Sequence, residues 1–424
     1  MSISAAEQYL LELINRARLD PASEAARYGI GLNDGLAAGT ISSAAKQVLA
    51  PNVKLEAAAT AHSLWMLDHD VFSHDETVGG STLNPGARIT AQGYIFSAWA
   101  ENLAYVASTG AVTMEGSIDA LHKNLFLSEG HRLNMTGATY REVGVGAELG
   151  VFTSGRNYNA AMLTEDFGMT GTARFVTGVA YTDRNADNFY SMGEGKSGVS
   201  FTVGAASAMT AAAGGYGVST GSKVATVVTG VSGALTFQAV VDMSHGNVKL
   251  DLVNDSKILT SGNITLVSGI RNADLLGVGD LNAIGNAGGN VLNGNSGNNM
   301  LTGGAGADVM SGFAGNDTIL GGAAHDVITG GSGNDVLSGA LGSDTFVFGV
   351  GFGRDSITDF SLAQTDHLSL SHSLWSGTKS AAAVVTQFAH IGTGEVYLDF
   401  GGGNEIHLAG LTTLTGLDSS LVIV

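Results

Sequence analysis

At 424 residues the chain is long enough for about three domains. It carries 38 acidic against 19 basic residues, a net charge of -19, which argues against nucleic acid or an anionic membrane as a partner and for divalent cations. With no cysteine it has neither disulfides nor thiolate metal sites, and 62 glycines beside only 3 prolines indicate an ordered, turn-rich chain.

Ser4 and Glu7 form a capping box ahead of a helix with Tyr9, Leu10, Leu13, Ile14 and Ala17 at helical spacing, and Asp20-Pro21 ends it. The opening residues have no apolar core of signal-peptide type, and no stretch is long and apolar enough to span a bilayer. On those grounds alone the chain reads as cytoplasmic. A second helix is expected from Leu55 to about Asp70, with Leu55, Ala58, Ala59, His62, Trp65 and Met66 inward, leading into Phe72-Ser73-His74. A turn-rich segment follows through Asn84 to Arg88 and Gly93-Tyr94, then Ala100 to Ala104. A third helix around Ile118 to Leu127 precedes Ser128 to Asn134, and Glu142 to Gly146 and Ala160 to Phe167 alternate as strands. His62, His69 and His122 read as packed or surface side chains, Arg132 and Asn134 as ties to nearby backbone, and Trp65 and Trp99 as core.

The order LxxxNxxR, FSH, GxRxxxxGY, ENLA, GHRxN, EVGVG and TEDFG over the first 170 residues resembles the CAP superfamily, in a bacterial cysteine-free form. The resemblance implies an α–β–α sandwich with a surface cleft lined by two histidines and acidic residues. The family's cleft positions fall on His74, Glu101 and His131, while a second glutamate found in many members falls near Ser128, beside Glu129. Two imidazoles and a carboxylate could hold Zn²⁺ with an open position, could serve as acid, base and orienting group without a metal, or could be a polar cluster that fixes the cleft shape. No G-x-S-x-G elbow, H-E-x-x-H helix or cysteine nucleophile supports a standard hydrolase.

From about Thr172 to Asp274 short alternating runs such as Gly198 to Val203 suggest an antiparallel β-sandwich. Near its start Asp183, Asn185, Asp187 and Glu194 occupy positions 1, 3, 5 and 12 of a loop, the spacing of calcium ligands, although position 6 is Asn188 and not glycine. A plain acidic hairpin turn is the competing reading.

Between Gly285 and Phe348 the chain repeats in nines. The sixth position holds Asn290, Asn299, Asp308, Asp317, Asp326, Asp335 and Asp344, and the eighth Leu292, Leu301, Met310, Ile319, Ile328, Leu337 and Phe346. Glycines such as Gly303, Gly306, Gly312, Gly315, Gly321, Gly330 and Gly333 let the backbone turn its carbonyls inward. With the aspartates they offer the hard oxygens that suit Ca²⁺. Two nonamers make one turn, so Asp308, Asp326 and Asp344 stack on one side and Asp317 and Asp335 on the other, giving roughly three good calcium sites. The two asparagine nonamers should bind more weakly, and Phe313, Ala324 and Ala340 depart from motif glycines. The pattern resembles the RTX (repeats-in-toxin) parallel β-roll of secreted bacterial proteins. That resemblance implies export by a type I system on an uncleaved C-terminal signal, which Asp418 to Val424 is similar to, and so reverses the cytoplasmic reading. Strands such as Val396 to Phe400 and Ile406 to Leu408 should cap the coil, with Asp355, Asp359 and Asp366 nearby as further oxygen donors.

The expected fold class is multidomain α+β. A CAP α–β–α sandwich (residues 1–170) precedes a β-sandwich-like middle domain (171–274), an RTX parallel β-roll (275–348), and a β-rich cap with the secretion signal (349–424). The expected function is that of a secreted, calcium-folded protein whose CAP domain binds an extracellular ligand or surface. The alternatives are a secreted metal-dependent hydrolase, such as a peptidase, and a structural component of a cell-surface layer.

Overall fold

The computed structural model describes residues 3–221 and 223–424. The chain divides into two compact units, one of residues 1–235 and 242–255, the other of 236–241 and 256–424.

In the first unit, α1 (Ala5–Leu19) starts on the expected capping box, with Ser4 and Glu7 each closing the other's backbone N–H. Helix α2 (Val53–His69) is capped by Asn52, while α3 (Ile118–Leu127) runs into the short α4 (Glu129–Met135). Strands β1 (Ala98–Ser108), β2 (Glu142–Thr153) and β3 (Asn157–Met169) form an antiparallel sheet in the order β2-β3-β1, and Ala50–Pro51 adds a short parallel edge on β2. Leu10, Leu13 and Ile14 of α1 and Leu121, Leu125 and Phe126 of α3 bury against Val143, Val145 and Leu163 on one face. Met66 and Leu67 of α2 pack with Leu103, Phe152 and Met162 on the other. The two helical layers sandwich the sheet, as the CAP resemblance implied. The glycines of EVGVG have a steric cause, because a Cβ at Gly144 would lie 2.0 Å from the Leu55 carbonyl carbon and one at Gly146 2.2 Å from the Thr60 nitrogen. Helix α2 therefore rests its backbone directly on β2. Trp99, expected in the core, is 36% exposed instead, because it lies near the end of β1 against Gly86.

Two short groups of strands follow within the same unit. Strand β4 (Arg174–Tyr181) pairs antiparallel with β5 (Gly215–Thr220) and parallel with β6 (Val248–Val253). Ser200–Val203 pairs with Ala206–Met209 and Ala225–Ser232. Phe201 and Tyr216 stack between the two groups with ring centroids 3.8 Å apart. Beneath them Lys249 Nζ sits between Asp251 and Glu12 of α1, 2.6 Å from the Glu12 carboxylate, with all three side chains buried.

The second unit is a coil of two parallel ladders. One climbs through Lys257–Thr260, Asn272–Leu275, Val291–Asn293, Val309–Ala314, Val327–Ser332, Thr345–Phe348 and His367–Leu370. The other climbs through Ile264–Ser268, Asn282–Ile284, Met300–Gly304, Thr318–Ala323, Val336–Leu341 and Arg354–Ile357. All seven apolar residues at the eighth nonamer position are buried along its axis. The antiparallel pair Glu395–Gly401 and Asn404–Ala409 closes one ladder, and Leu421–Ile423 closes the other by pairing parallel with His367–Leu370. The segment similar to a secretion signal thus ends as a strand of the folded coil.

Phe313, Ala324 and Ala340 hold φ of 73°, 84° and 64°, where Gly304, Gly315, Gly322, Gly331, Gly333 and Gly342 at matching turn positions adopt 105° to 154°. A side chain in the left-handed region costs about 1–2 kcal/mol, partly offset by the greater entropy a glycine loses on folding. Ala324→Gly should raise the stability of the calcium-loaded coil by about 0.5–1 kcal/mol, read as a higher urea midpoint with unchanged slope. An unchanged or lower midpoint would show that the turn is unstrained.

Candidate functional site

Each turn of the coil seats its aspartate in the same way. The Oδ1 atoms of Asp308, Asp326 and Asp344 accept from the backbone N–H groups of Asn290, Asp308 and Asp326 at 2.7, 2.8 and 2.9 Å. On the other side Asp317 and Asp335 accept from Asn299 and Asp317, both at 2.7 Å. The carboxylates form two rails with a repeat of 18 residues, each acid bonded to the turn before it.

The second oxygen decides the chemistry. Oδ2 of Asp308, Asp317, Asp326 and Asp335 is buried and has no hydrogen-bond partner. A Cβ at Gly303 would lie 2.2 Å from Asp308 Oδ2 and 2.7 Å from the carbonyl oxygen of Gly321. At Gly312 the same point is 2.0 Å from Asp317 Oδ2 and 2.5 Å from the Gly330 carbonyl oxygen, and at Gly321 it is 2.3 Å from Asp326 Oδ2. At Gly330 it is 2.2 Å from Asp335 Oδ2. Gly306, Gly315 and Gly333 stack backbone on backbone, with main-chain atoms of the preceding turn 2.3, 2.4 and 1.9 Å from where a Cβ would be. Carboxylate and carbonyl oxygens therefore converge with no donor between them, an arrangement that costs energy unless a cation joins them. Burial pushes the Asp308, Asp335 and Asp344 carboxyls up, and those of Asp317 and Asp326 to about 7, with neighbouring aspartates adding to the rise in the last two. Hard oxygens, inward carbonyls and uncompensated acid fit calcium.

The asparagine turns differ. Asn290 Oδ1 accepts from Asn286 N at 2.9 Å and its amide donates to the Arg271 carbonyl oxygen at 2.7 Å. Asn299 does the same with Asn295 N at 2.7 Å and the Leu281 carbonyl oxygen at 3.0 Å. One amide supplies both acceptor and donor, so these turns are satisfied without an ion.

In the first unit the expected cleft residues lie on α4, on β1 and in the loop after α2. His74 Nδ1 is 2.8 Å from Glu101 Oε1, and half of the ring is exposed. Arg88 donates to Glu101 Oε2 and, at 2.7 Å, to the His74 carbonyl oxygen. His62, buried, bonds Glu76 at 2.8 Å, which also pairs with Arg88. His131 is half-buried on α4, and its pKa is pushed down by burial and then by His74 nearby. Asn102 donates to the His131 carbonyl oxygen at 3.2 Å and accepts from Asn134, while Arg132 donates to the carbonyls of Phe126, Leu127 and Asp34. The structure thus brings His74, Glu101 and His131 to one neighbourhood. Glu129 points elsewhere, its carboxylate against Gly35.

Zinc finds no support at His74 and His131. Glu101 spends one oxygen on His74 and the other on Arg88. Among the described residues no group of three or more His, Asp or Glu side chains is disposed to hold a metal. A calcium turn made of one carboxylate and main-chain carbonyls is a different kind of site. What the dyad can offer is an imidazole oriented by a carboxylate.

Sequence reasoning gave no role to the acids beneath the cleft. Asp166 stands opposite Glu101 in the β1–β3 register, fully buried, and burial followed by the Glu101 charge raises its carboxyl well above the usual range. Burial pushes Glu165 to about 7 against the Asn102 amide that lowers it. An acid raised in the fold stabilises it below its unfolded pKa and stops doing so as pH rises through the raised value. Glu165→Gln should therefore flatten the fall in melting temperature of the first unit between about pH 4.5 and 7, removing a term on the order of 3 kcal/mol. An unaltered pH profile would exclude Glu165 as its source.

The loop at 183–194 is closed by its own backbone. Glu194 Oε1 and Oε2 accept from Arg184 N and Ser191 N, both at 2.9 Å, and Asp183 Oδ2 accepts from Asn188 N at 3.1 Å. Asn185 donates to Asp187 at 2.9 Å. Of the four expected ligands, Asn185 and Asp187 bond each other, while Asp183 and Glu194 accept from N–H groups of the loop.

Residues 11–159 match the family model of the cysteine-rich secretory proteins (CAP), and residues 284–312 and 311–346 that of the RTX calcium-binding nonapeptide repeat. Among solved structures the chain is similar to an extracellular protein containing an SCP domain from Bacillus anthracis str. Ames, at 25% identity, 30% of this chain, 35% of that chain and a TM-score of 0.22. It is also similar to the extracellular lipase LipA from Serratia marcescens (17% identity, 38% and 42% covered, TM-score 0.20). A third is the AlgE6R3 subunit of the Azotobacter vinelandii mannuronan C5-epimerase (26% identity, 34% and 78% covered, TM-score 0.15). The chain spans about a third of the Bacillus protein's length. No curated protein matches. The nonapeptide family makes the coil a calcium-binding region.

Proposed function

We propose, for a chain that carries a CAP domain at residues 11–159 and RTX calcium-binding nonapeptide repeats at 284–346, a secreted protein exported by a type I system and wound up by calcium outside the cell. Its CAP domain then presents the His74–Glu101 cleft to an extracellular ligand or surface. The observation that carries the reading is the row of buried, donorless Oδ2 atoms on Asp308, Asp317, Asp326 and Asp335. Without an ion these acids oppose folding, and with one they drive it, so the coil is open where calcium is scarce and closed where it is plentiful. Binding is preferred to hydrolysis because Arg88, Glu101 and Asn134 fix the shape of the cleft, while among the described residues no metal-ligand cluster accompanies the dyad.

The test uses the full calcium-loaded chain. Metal analysis should find calcium without zinc, and panels of peptides and esters should show no turnover. Turnover lost in both His74→Ala and His131→Ala would replace binding by hydrolysis. Chymotrypsin resistance of the coil that is unchanged by EDTA would remove the calcium switch.

A further inference from the structure

One aspartate outside the matched repeats repeats their environment bond for bond. Residues Gly351-Phe352-Gly353-Arg354-Asp355-Ser356-Ile357 lie over Gly331-Ser332-Gly333-Asn334-Asp335-Val336-Leu337, displaced by 20 residues in place of 18. Asp335 N donates to Asp355 Oδ1 at 2.9 Å as Asp317 N donates to Asp335 Oδ1 at 2.7 Å. Ser356 N donates to the Asp335 carbonyl as Val336 N does to that of Asp317, both at 2.8 Å. Arg354 N takes Asn334 Oδ1 as Asn334 N takes Asn316 Oδ1. A Cβ at Gly353 would meet the Gly333 carbonyl oxygen at 1.9 Å, as one at Gly333 would meet that of Gly315. Ile357, like Leu337, is buried on the axis.

Two other acids near this end do not share that environment. Asp366 uses Oδ1 on Asp344 N at 3.0 Å and Oδ2 on Ser361 N at 2.8 Å. Asp359 accepts from Gly339 N, Ala340 N and the Ser338 hydroxyl. Backbone and hydroxyl donors satisfy both carboxylates. Asp355 is 0% exposed, and its Oδ2 has no partner, as is true of Asp335 Oδ2 one turn below. A fully buried carboxylate oxygen without a donor requires a cation or a proton.

We infer that Asp355 supplies a further calcium site, formed with Asp335 one turn beyond the recognised repeats, whereas Asp359 and Asp366 close the opposite rail without an ion. The two residues added before Gly351 hide this eighth nonamer from the nine-residue phase. The inference rests on the calcium reading of the repeats.

Calcium stoichiometry of the full chain, by equilibrium dialysis, tests it. Asp355→Asn should bind one ion fewer than the wild type, and Asp359→Asn and Asp366→Asn the same number. Equal binding by wild type and Asp355→Asn overturns the inference while leaving the repeat reading intact, and a wild type that binds no calcium overturns both. Should Asp355→Asn not fold, anomalous scattering from wild-type crystals decides. A calcium peak at Asp335 and Asp355 supports the site, and its absence while the earlier aspartate turns are filled removes it.

Discussion

Treated with EDTA at pH 7.5, the full chain should lose the β-sheet circular dichroism of residues 291–370 and recover it when calcium is restored, while the first unit keeps its helical signal. The size of the effect follows from mass action. Each site held at a hundredfold excess over its Kd adds about 2.7 kcal/mol, so three such sites add about 8 kcal/mol, comparable to the whole stability of an ordinary domain. The metal-free state should also have the opposite pH response to the loaded one. Asp317 and Asp326 are pushed up to about 7 and Asp355 to about 8, chiefly by burial. Such acids stabilise the empty coil below their unfolded pKa of about 4, and that stability is lost as pH rises through 7 to 8. Calcium needs the same groups deprotonated, so its stabilisation grows over the same interval. A coil spectrum indifferent to EDTA at both pH 5 and pH 8 would show that the carboxylates are satisfied by something other than an ion.

Lys249→Met should destabilise the first unit by about 3–5 kcal/mol, a drop of roughly 10 °C in its melting temperature. The buried ammonium is the shared partner of Glu12 and Asp251. Burial lowers its pKa, but the two carboxylates together outweigh burial and raise it, so it stays charged. Removing it leaves two acids facing each other without a counter-ion. Asp251 is already pushed up to about 6 by burial, so it should take up a proton readily in the variant. The deficit against wild type should therefore narrow as pH falls from 8 to 5. A deficit equal at both pH values would assign the loss to packing and not to charge.

What the sequence disclosed was governed by range. The Ser4–Glu7 box is a contact across three residues, and the structure has it as read. The nonamers were legible because two residue classes hold one phase, and the bonds between turns keep that phase as an 18-residue rail. His74, Glu101 and His131 could be located because motif order carries them. The network that orients them could not. Glu101 meets Asp166 only through a strand register spanning 65 residues, and Arg88 reaches Glu101 from a separate helical turn. The EVGVG glycines were seen as strand, but their reason is helix α2 lying on them. Trp99 shows the converse error, since residue type suggested burial and position near a strand end prevented it. The ladders also begin at Lys257–Thr260, before any nonamer can be read, because strand pairing does not require the turn motif.

Asn290 and Asn299 give the coil a direction. Their amides satisfy two turns without an ion, bonding both their own loop and a carbonyl of the turn before, while each aspartate after them accepts from the backbone of the turn before. The base of each rail is thus satisfied without an ion, and each aspartate above it is seated on the backbone of the turn before.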